Sequence, residues 1–246
     1  MSGPIVVDVG NSRVKWGLCS SEQVWGMVSL PPDDIAAWDK QWHDWKLQRH
    51  QAWIVAGVHP VRRDALVNWL KSRCETVHVL ISAKELPLQV ELEHPEKVGI
   101  DRLLNAVAAN RRRQPNVAAI LIGAGTAVTV DYVGGNGVFK GGTIFPGFNL
   151  MARALHEHTA LLPIVEMDEA AMPPGTSTVH AMQAGIYLAL LGGVERIISE
   201  YQHRFPAPFE IFLTGGDAKS LTSRLRHHFH LWPEMTLEGI LHSRPA

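Results

Sequence analysis

Two stretches of the chain repeat one pattern of apolar and polar positions. Ile5, Val6 and Val7 lead through Asp8 and Val9 into Gly10 and Asn11, after which apolar and polar residues alternate through Val14, Lys15 and Trp16. Ile120, Leu121 and Ile122 lead in the same way into Gly125 and Thr126, after which Val128 and Val130 alternate with Thr129 and Asp131. Three consecutive aliphatic residues suit a strand covered on both faces, and alternation suits a strand with two unlike faces. Each copy therefore predicts a buried strand, a glycine turn and a strand running back. Laid over each other, the copies put Gly10 on Gly125 and Asn11 on Thr126, so the chain reads as a duplicated core.

Glycine at such a turn allows a positive φ where the chain reverses. Several backbone N–H groups then converge on one side, which makes a small concavity suited to phosphate oxygens. Two copies predict two phosphate loops facing each other. Neither is a Walker loop, because no Gly-x-x-x-x-Gly-Lys-Ser/Thr spacing occurs in the chain.

The rest of the pattern alternates strands with helices. Gln23 to Leu30 predicts a third strand, and Pro31, Pro32, Asp33 and Asp34 open a helix on which Trp38, Trp42 and Trp45 share an apolar stripe. Gln51 to Val58 and Thr76 to Ile81 predict strands around a helix from Asp64 to Cys74. Pro87 to Val98 reads as a loop. From Leu103 to Arg113 the residues are strong helix formers, with Asp101 and Arg102 in the first turn and three arginines at the end, where the helix dipole favours cations. Gln114, Pro115 and Asn116 mark a boundary, giving halves at 1–115 and 116–246.

In the second half, the glycine pairs of Val138 to Gly147 let the backbone come close to a ligand or a packed helix, Asn149 to Leu162 predicts a helix, and Pro163 to Gly175 a loop. Thr178 to Glu200 predicts a long helix whose middle, Gly185 to Gly193, is apolar all round and so must be covered by the core or by another subunit. Phe209 to Asp217 reads as a strand entering a glycine turn, followed by a helix from Ala218 to His227. Strands alternating with helices of these lengths place the chain in the α/β class.

Composition removes several functional classes. A formal net charge of −1 and a pI near 6.9 give no electrostatic attraction to nucleic acid or to an anionic membrane. Two cysteines make no disulfide framework, and the longest apolar stretch, Ala184 to Val194, falls short of a membrane span. The expectation is a soluble cytoplasmic protein with no nucleic-acid or membrane partner. His156 and His158, and the run from His227 to His230, lack the spacing of a full zinc ligand set.

Four pieces call for one explanation: Asp8 with its turn, Asp101 with Arg102, the Gly125-Thr126 turn with Asp131, and Thr214 to Asp217. They supply phosphate-facing N–H groups, carboxylates for cations, and a lysine, Lys15. Phosphoryl transfer needs these parts, because its catalysis is mostly positioning and charge neutralisation.

The same residues carry a resemblance. Asp8, Gly10, Asn11, Ser12 and Lys15, then Gly99, Asp101 and Arg102, then Gly125, Thr126, Ala127, Thr129 and Asp131, then Gly141, Gly142, Ile144, Pro146 and Gly147, and Thr214 to Gly216 together resemble the ordered motif set of type III pantothenate kinases. The resemblance implies a duplicated actin-like, ribonuclease-H-like fold and a homodimer. It implies ATP, Mg²⁺, and a monovalent cation, K⁺ or NH₄⁺, with phosphorylation of pantothenate to 4′-phosphopantothenate, the first step toward coenzyme A.

By the same resemblance Asp101 is the general base. Gly99, Ile100, Asp101, Arg102 and Thr178 bind pantothenate, with Arg102 on its carboxylate. Asp8, Val9, Gly10, Asn11, Ser12, Arg13, Val14, Lys15, Gly125 and Thr126 bind ATP. Asp8 lies by the phosphates and Mg²⁺, and Asp131 holds the monovalent cation. Chemistry is consistent with those roles: a carboxylate accepts the proton of an attacking alcohol, Arg102 beside it would keep it ionised, and arginine grips a carboxylate with two parallel hydrogen bonds. One departure is Leu92, standing ahead of Pro95 where the family pattern has a tyrosine. Rival readings on the same fold are a nucleotide-hydrolysing enzyme and a non-enzymatic regulatory accessory protein.

Overall fold

The computed structural model describes residues 3–74, 76–169 and 171–244. Its first sheet contains β1 (Ile5–Val9), β2 (Val14–Cys19), β3 (Val24–Leu30), β4 (Trp53–Gly57) and β5 (Val77–Leu80), with helices α1 (Ile35–Asp44), α2 (Pro60–Lys71) and α3 (Ile100–Arg112) in the same half. The second contains β6 (Ala118–Ala124), β7 (Ala127–Val133), β8 (Phe139–Pro146), β9 (Phe209–Thr214) and β10 (His230–Leu231), with helices α4 (Phe148–Glu157), α5 (Thr178–Arg204) and α6 (Ala218–Thr222). A last helix, α7 (Met235–His242), closes the chain.

The duplication is plain in the strand order. The first sheet runs β3-β2-β1-β4-β5 and the second β8-β7-β6-β9-β10, so corresponding strands occupy corresponding places. In each, an antiparallel hairpin (β1 with β2, β6 with β7) lies beside a parallel strand that returns from a helical crossover, β4 or β9. The parallel registers match as well: Val9 sits beside Gly57, and Gly123 beside Thr214 places Ala124 next to Gly215.

By contact density the chain divides into two compact units. One comprises Met1–Arg112, Gly137–Phe139 and Glu234–Ala246, the other Arg113–Asn136 and Lys140–Pro233. The sequence division at 115/116 assigns the tail to the second half; the structure groups α7 with the first unit. Within that unit Gly239 of α7 meets α3 so closely that a Cβ would come 2.1 Å from the Leu104 carbonyl oxygen. Beside this contact the Thr236 hydroxyl donates to Asn105 Oδ1 at 2.8 Å, with both residues buried.

Period-two alternation decides what each face of the first sheet does. Ile5, Val7, Val9, Val14 and Trp16 point into a core with α1 and α2. There Trp16, Trp53, Trp42, Trp69 and Trp38 pack ring to ring, with Trp16 edge-on to Trp53 at 5.1 Å and Trp42 stacked on Trp53 at 5.8 Å. The predicted tryptophan stripe is core, and such pairs contribute about 0.5–1.5 kcal/mol each beyond burial. Val6 and Asp8 point to the opposite face, where Gly17 lies beneath Leu237 of α7.

Several elements differ from their sequence reading. Helix α2 starts at Pro60 rather than Asp64, because His59 accepts the Arg62 N–H as N-cap and Pro60 fits the first helical position. Helix α6 stops at Thr222, where Thr222 and Ser223 are weak helix formers. Helix α7 is short and carries a glycine, and had no sequence reading at all. Helix α5 is not covered all round within this chain. Eight of its side chains, Met182, Ala184, Ile186, Tyr187, Leu190, Leu191, Val194 and Ile198, are buried, while Ala181, Gly185, Leu188 and Gly192 remain open. Its length and hydropathy would also satisfy a membrane span, but the buried side belongs to the second unit's core.

Candidate active site

The first turn holds four residues between paired strand positions, Gly10 to Arg13, and closes with Gly10 N–H donating to the Arg13 carbonyl at 3.0 Å. The second holds three, Gly125 to Ala127, closed by Gly125 N–H on the Ala127 carbonyl at 3.2 Å. Asn11, Ser12 and Arg13, and likewise Thr126 and Ala127, are exposed, so both tips are open to a ligand. The turn glycines do not use a left-handed backbone; among the glycines that do are Gly141 and Gly215. The sequence argument from positive φ therefore fails at Gly10 and Gly125. It holds at Gly215, φ +107°, which passes so close to β6 that a Cβ would lie 2.0 Å from the Ala124 carbonyl oxygen.

Asp8 is the penultimate residue of β1, with Lys15 directly across the ladder, on the face away from the tryptophans. Burial pushes its carboxyl up to about 6, against a lowering by Lys15 and a further raising by the Asp101 charge. Asp8 and Asp101 are thus electrostatic neighbours within one unit, one near the end of β1 and one in the first turn of α3. Asp101 Oδ1 accepts the Arg102 N–H at 2.9 Å and lies 2.6 Å from where a Cβ on Gly99 would sit. Any side chain at 99 would collide with this carboxylate.

Arg102 does not win the contest over Asp101. Burial raises that carboxyl above its ordinary value, and the Arg102 N–H and guanidinium only partly offset it. Arg102 acts in the expected direction, toward the ionised form, while burial leaves the carboxyl raised overall, which suits a group that takes and returns a proton. The Arg102 guanidinium lies 5.9 Å from the Phe139 ring.

In the second unit Asp131 is 1% exposed, paired in register with Leu121. Gly142 of β8 packs on it: a Cβ there would fall 2.3 Å from Asp131 Oδ1 and 2.4 Å from the Val130 carbonyl oxygen. Gly147 closes on the turn, donating its N–H to the Thr126 carbonyl at 3.0 Å, with its own Cβ position 2.0 Å from the Gly125 carbonyl oxygen. Thr178 is the first residue of α5, exposed, next to the N-cap Ser177. Ile100 is buried, and Leu92 is half-buried in the loop before α3.

Sequence reasoning singled out Asp217 without giving it a role, and missed Arg62. Asp217 caps α6, gives its N–H to the Ala124 carbonyl at 3.1 Å, and has its carboxyl raised by burial. Arg62 reaches from α2 to the Asn11 carbonyl of the first turn. The motif Thr214 to Asp217 flagged the first. The second is 51 positions from its partner and carries no local signal.

Two sheets of matching strand order, each an antiparallel hairpin beside a parallel crossover strand, define an α/β protein of the duplicated actin-like fold. A family model for type III pantothenate kinase matches residues 4–200, and the chain belongs to that family. A type III pantothenate kinase of Akkermansia muciniphila is 30% identical over 236 residues, covering 96% of each chain. One of Acidiphilium cryptum is 33% identical over 249 residues, covering 96% of this chain and 92% of the relative. Among solved structures, a Campylobacter jejuni protein described as a Baf family transcriptional activator superposes with TM-score 0.60 at 19% identity, covering 96% of this chain and 94% of that one. A Sinorhizobium meliloti protein described as a 2-dehydro-3-deoxygalactonokinase does so with TM-score 0.58 at 10% identity, covering 97% and 96%. These last two likenesses concern the fold alone.

Proposed function

We propose that the chain transfers the γ-phosphoryl group of ATP to the primary hydroxyl of pantothenate, giving 4′-phosphopantothenate and ADP. Family membership supports the reaction. The observation that carries the residue assignment is the juxtaposition of Asp8 and Asp101, two carboxylates with raised pKa values in one unit.

In this reading the N–H groups of Asn11 to Arg13 take phosphate oxygens while the Gly10 N–H closes the turn, Lys15 adds positive charge beside Asp8, and Gly125 and Thr126 are assigned to ATP by the family resemblance. Val9 and Val14 frame the first turn. Asp101 accepts the hydroxyl proton as oxygen bonds to the γ-phosphorus and the bond to the ADP oxygen breaks. General-base assistance of this kind is worth about 10²–10⁴-fold. Arg102 takes the pantothenate carboxylate in two parallel hydrogen bonds, Gly99 and Ile100 line the same pocket, and Thr178 completes it from a second copy of the chain.

The donor sets fit the implied ions. Asp8, with Asp101 near it, offers the one or two carboxylates that Mg²⁺ takes while leaving positions for phosphate oxygens. That ion would neutralise charge on the phosphates. Asp131, buried with the Val130 carbonyl close by, offers the oxygen ligands a K⁺ or NH₄⁺ ion would use.

A homodimer is part of this proposal. The open side of α5, with Ala181, Gly185, Leu188 and Gly192, is an apolar face with space above both glycines, suited to a second copy. The cytoplasm is the compartment in which two free buried cysteines and a supply of ATP go together. The test is to incubate purified protein with ATP, Mg²⁺ and pantothenate, in K⁺ and then in Na⁺. Formation of 4′-phosphopantothenate, faster in K⁺, is expected. ATP hydrolysis without an acceptor product, or no reaction in either salt, would contradict the reading.

A further inference from the structure

The two turns solve one geometric problem in different ways. A trans peptide is planar, so the N–H of a residue points opposite to the carbonyl before it. Whatever holds the carbonyl at the tip of a turn therefore aims the following N–H. In the second turn the Thr126 carbonyl is held by backbone, the Gly147 N–H at 3.0 Å. In the first turn the matching carbonyl, that of Asn11, is held by a side chain, the Nη1 of Arg62.

Arg62 is itself fixed from two directions. Its backbone N–H is capped by His59 Nδ1 at 3.4 Å in the first turn of α2, which follows β4, the parallel neighbour of β1. Its guanidinium grips Asp33, with Nε 3.1 Å from both carboxylate oxygens and Nη2 2.8 Å from Oδ2. The fork leaves Nη1 directed at Asn11. A planar guanidinium can hold both partners at once, whereas an ammonium has no fixed fork.

We propose that Arg62 is a positioning residue for the nucleotide: braced by Asp33, it fixes the Asn11 carbonyl and so presents the Ser12 N–H to a phosphate oxygen. This rests on the reading of Gly10 to Arg13 as a phosphate turn. The Asp33 carboxylate is 64% exposed, and exposed ion pairs contribute little to stability. The effect of Arg62 should accordingly fall on nucleotide binding rather than on folding.

Two measurements on the full-length protein separate the proposal from the reading beneath it. Amide exchange in the wild type, with and without a non-hydrolysable ATP analogue, reports whether the first turn takes nucleotide; slowed exchange over 10–13 is expected. Steady-state kinetics of Arg62→Ala should then show KM for ATP raised about tenfold, near the worth of one hydrogen bond to a charged donor, with kcat and KM for pantothenate within about twofold. Arg62→Lys should recover only part of that loss, and Asp33→Asn should raise KM for ATP about threefold.

Slowed exchange together with an unchanged KM for ATP in Arg62→Ala would overturn the role of Arg62 and leave the phosphate turn standing. A fall in kcat with KM unchanged would overturn it too. Unslowed exchange in the wild type would remove the phosphate turn and Arg62's role together. Should Arg62→Ala fail to fold, Asp33→Asn decides, and an unchanged KM for ATP in it refutes the proposal.

Discussion

In the first hairpin the residue two places before the turn glycine is Asp8, facing Lys15 across the ladder; in the second it is Gly123, facing Thr129. A Cβ on Gly123 would lie 2.8 Å from the Thr129 hydroxyl, so an aspartate has no room there without a shift. The acid of the second hairpin stands on the return strand instead, as Asp131, sealed from solvent beneath Gly142. The turns differ in the same sense. The first is one residue longer and held by a side chain, and the second is shorter and clasped by the Gly147 backbone. From one topology, the first copy carries a carboxylate raised by burial beside an exposed turn, and the second a sealed acid and a closely packed turn.

That contrast is broken most severely at Asp101, which belongs with the first copy. Asp101→Asn should lower kcat about 10²–10⁴-fold while nucleotide still raises the thermal midpoint. A loss of only about twofold would remove the base assignment. Because burial raises both Asp8 and Asp101, the rate should fall as pH drops through about 6, where Asp8 takes up its proton. A flat profile from pH 8 to 5 would contradict the proposed roles.

The second copy answers differently, in stability. Gly147→Ala forces a Cβ against the Gly125 carbonyl and should cost about 2–4 kcal/mol, read as a lowered thermal midpoint. The same change at Gly10 meets only the Arg13 carbonyl at 3.2 Å, and a cost under about 1 kcal/mol is expected. Equal costs at the two sites would dissolve the distinction between an accessible turn and a clamped one.

Asp8→Asn should sharpen it from the other side. A carboxyl raised from 3.8 to about 6 in the folded chain favours folding below the unfolded value, and that contribution is lost as pH rises through the folded one. At pH 7.5 Asp8 therefore opposes folding by an amount of order 2–3 kcal/mol. Its replacement by asparagine should lower turnover, by less than Asp101→Asn, yet raise the midpoint of the ligand-free protein by about 5 °C, with the gain shrinking toward pH 4. A lowered midpoint at pH 7.5 would show that Asp8 is structural. The smallest effect is expected at Asp131: Asp131→Ala should leave some activity but flatten the difference between K⁺ and Na⁺, and an unchanged salt profile would count against that site.

The hairpins, the tryptophan core, α3 with its acid and the long helix were legible because each is written in local periodicity. What escaped depends on contacts across the chain. Helix α7 has few residues and a central glycine, and its place against α3 comes from the Gly239–Leu104 approach and the Thr236–Asn105 bond, partners more than a hundred positions apart. The raised pKa of Asp101 escaped because Arg102 is its neighbour in sequence, while the burial that outweighs it is tertiary. Arg62 reads as one more surface arginine until the fold brings α2 to the end of β1.

The most direct test is a crystal structure with a non-hydrolysable ATP analogue, Mg²⁺ and pantothenate bound. The account predicts phosphate oxygens on the N–H groups of the first turn, Asn11 to Arg13, and the pantothenate hydroxyl about 2.6–3.2 Å from the Asp101 carboxylate. Phosphates bound away from the first turn, or a hydroxyl out of reach of Asp101, would contradict it.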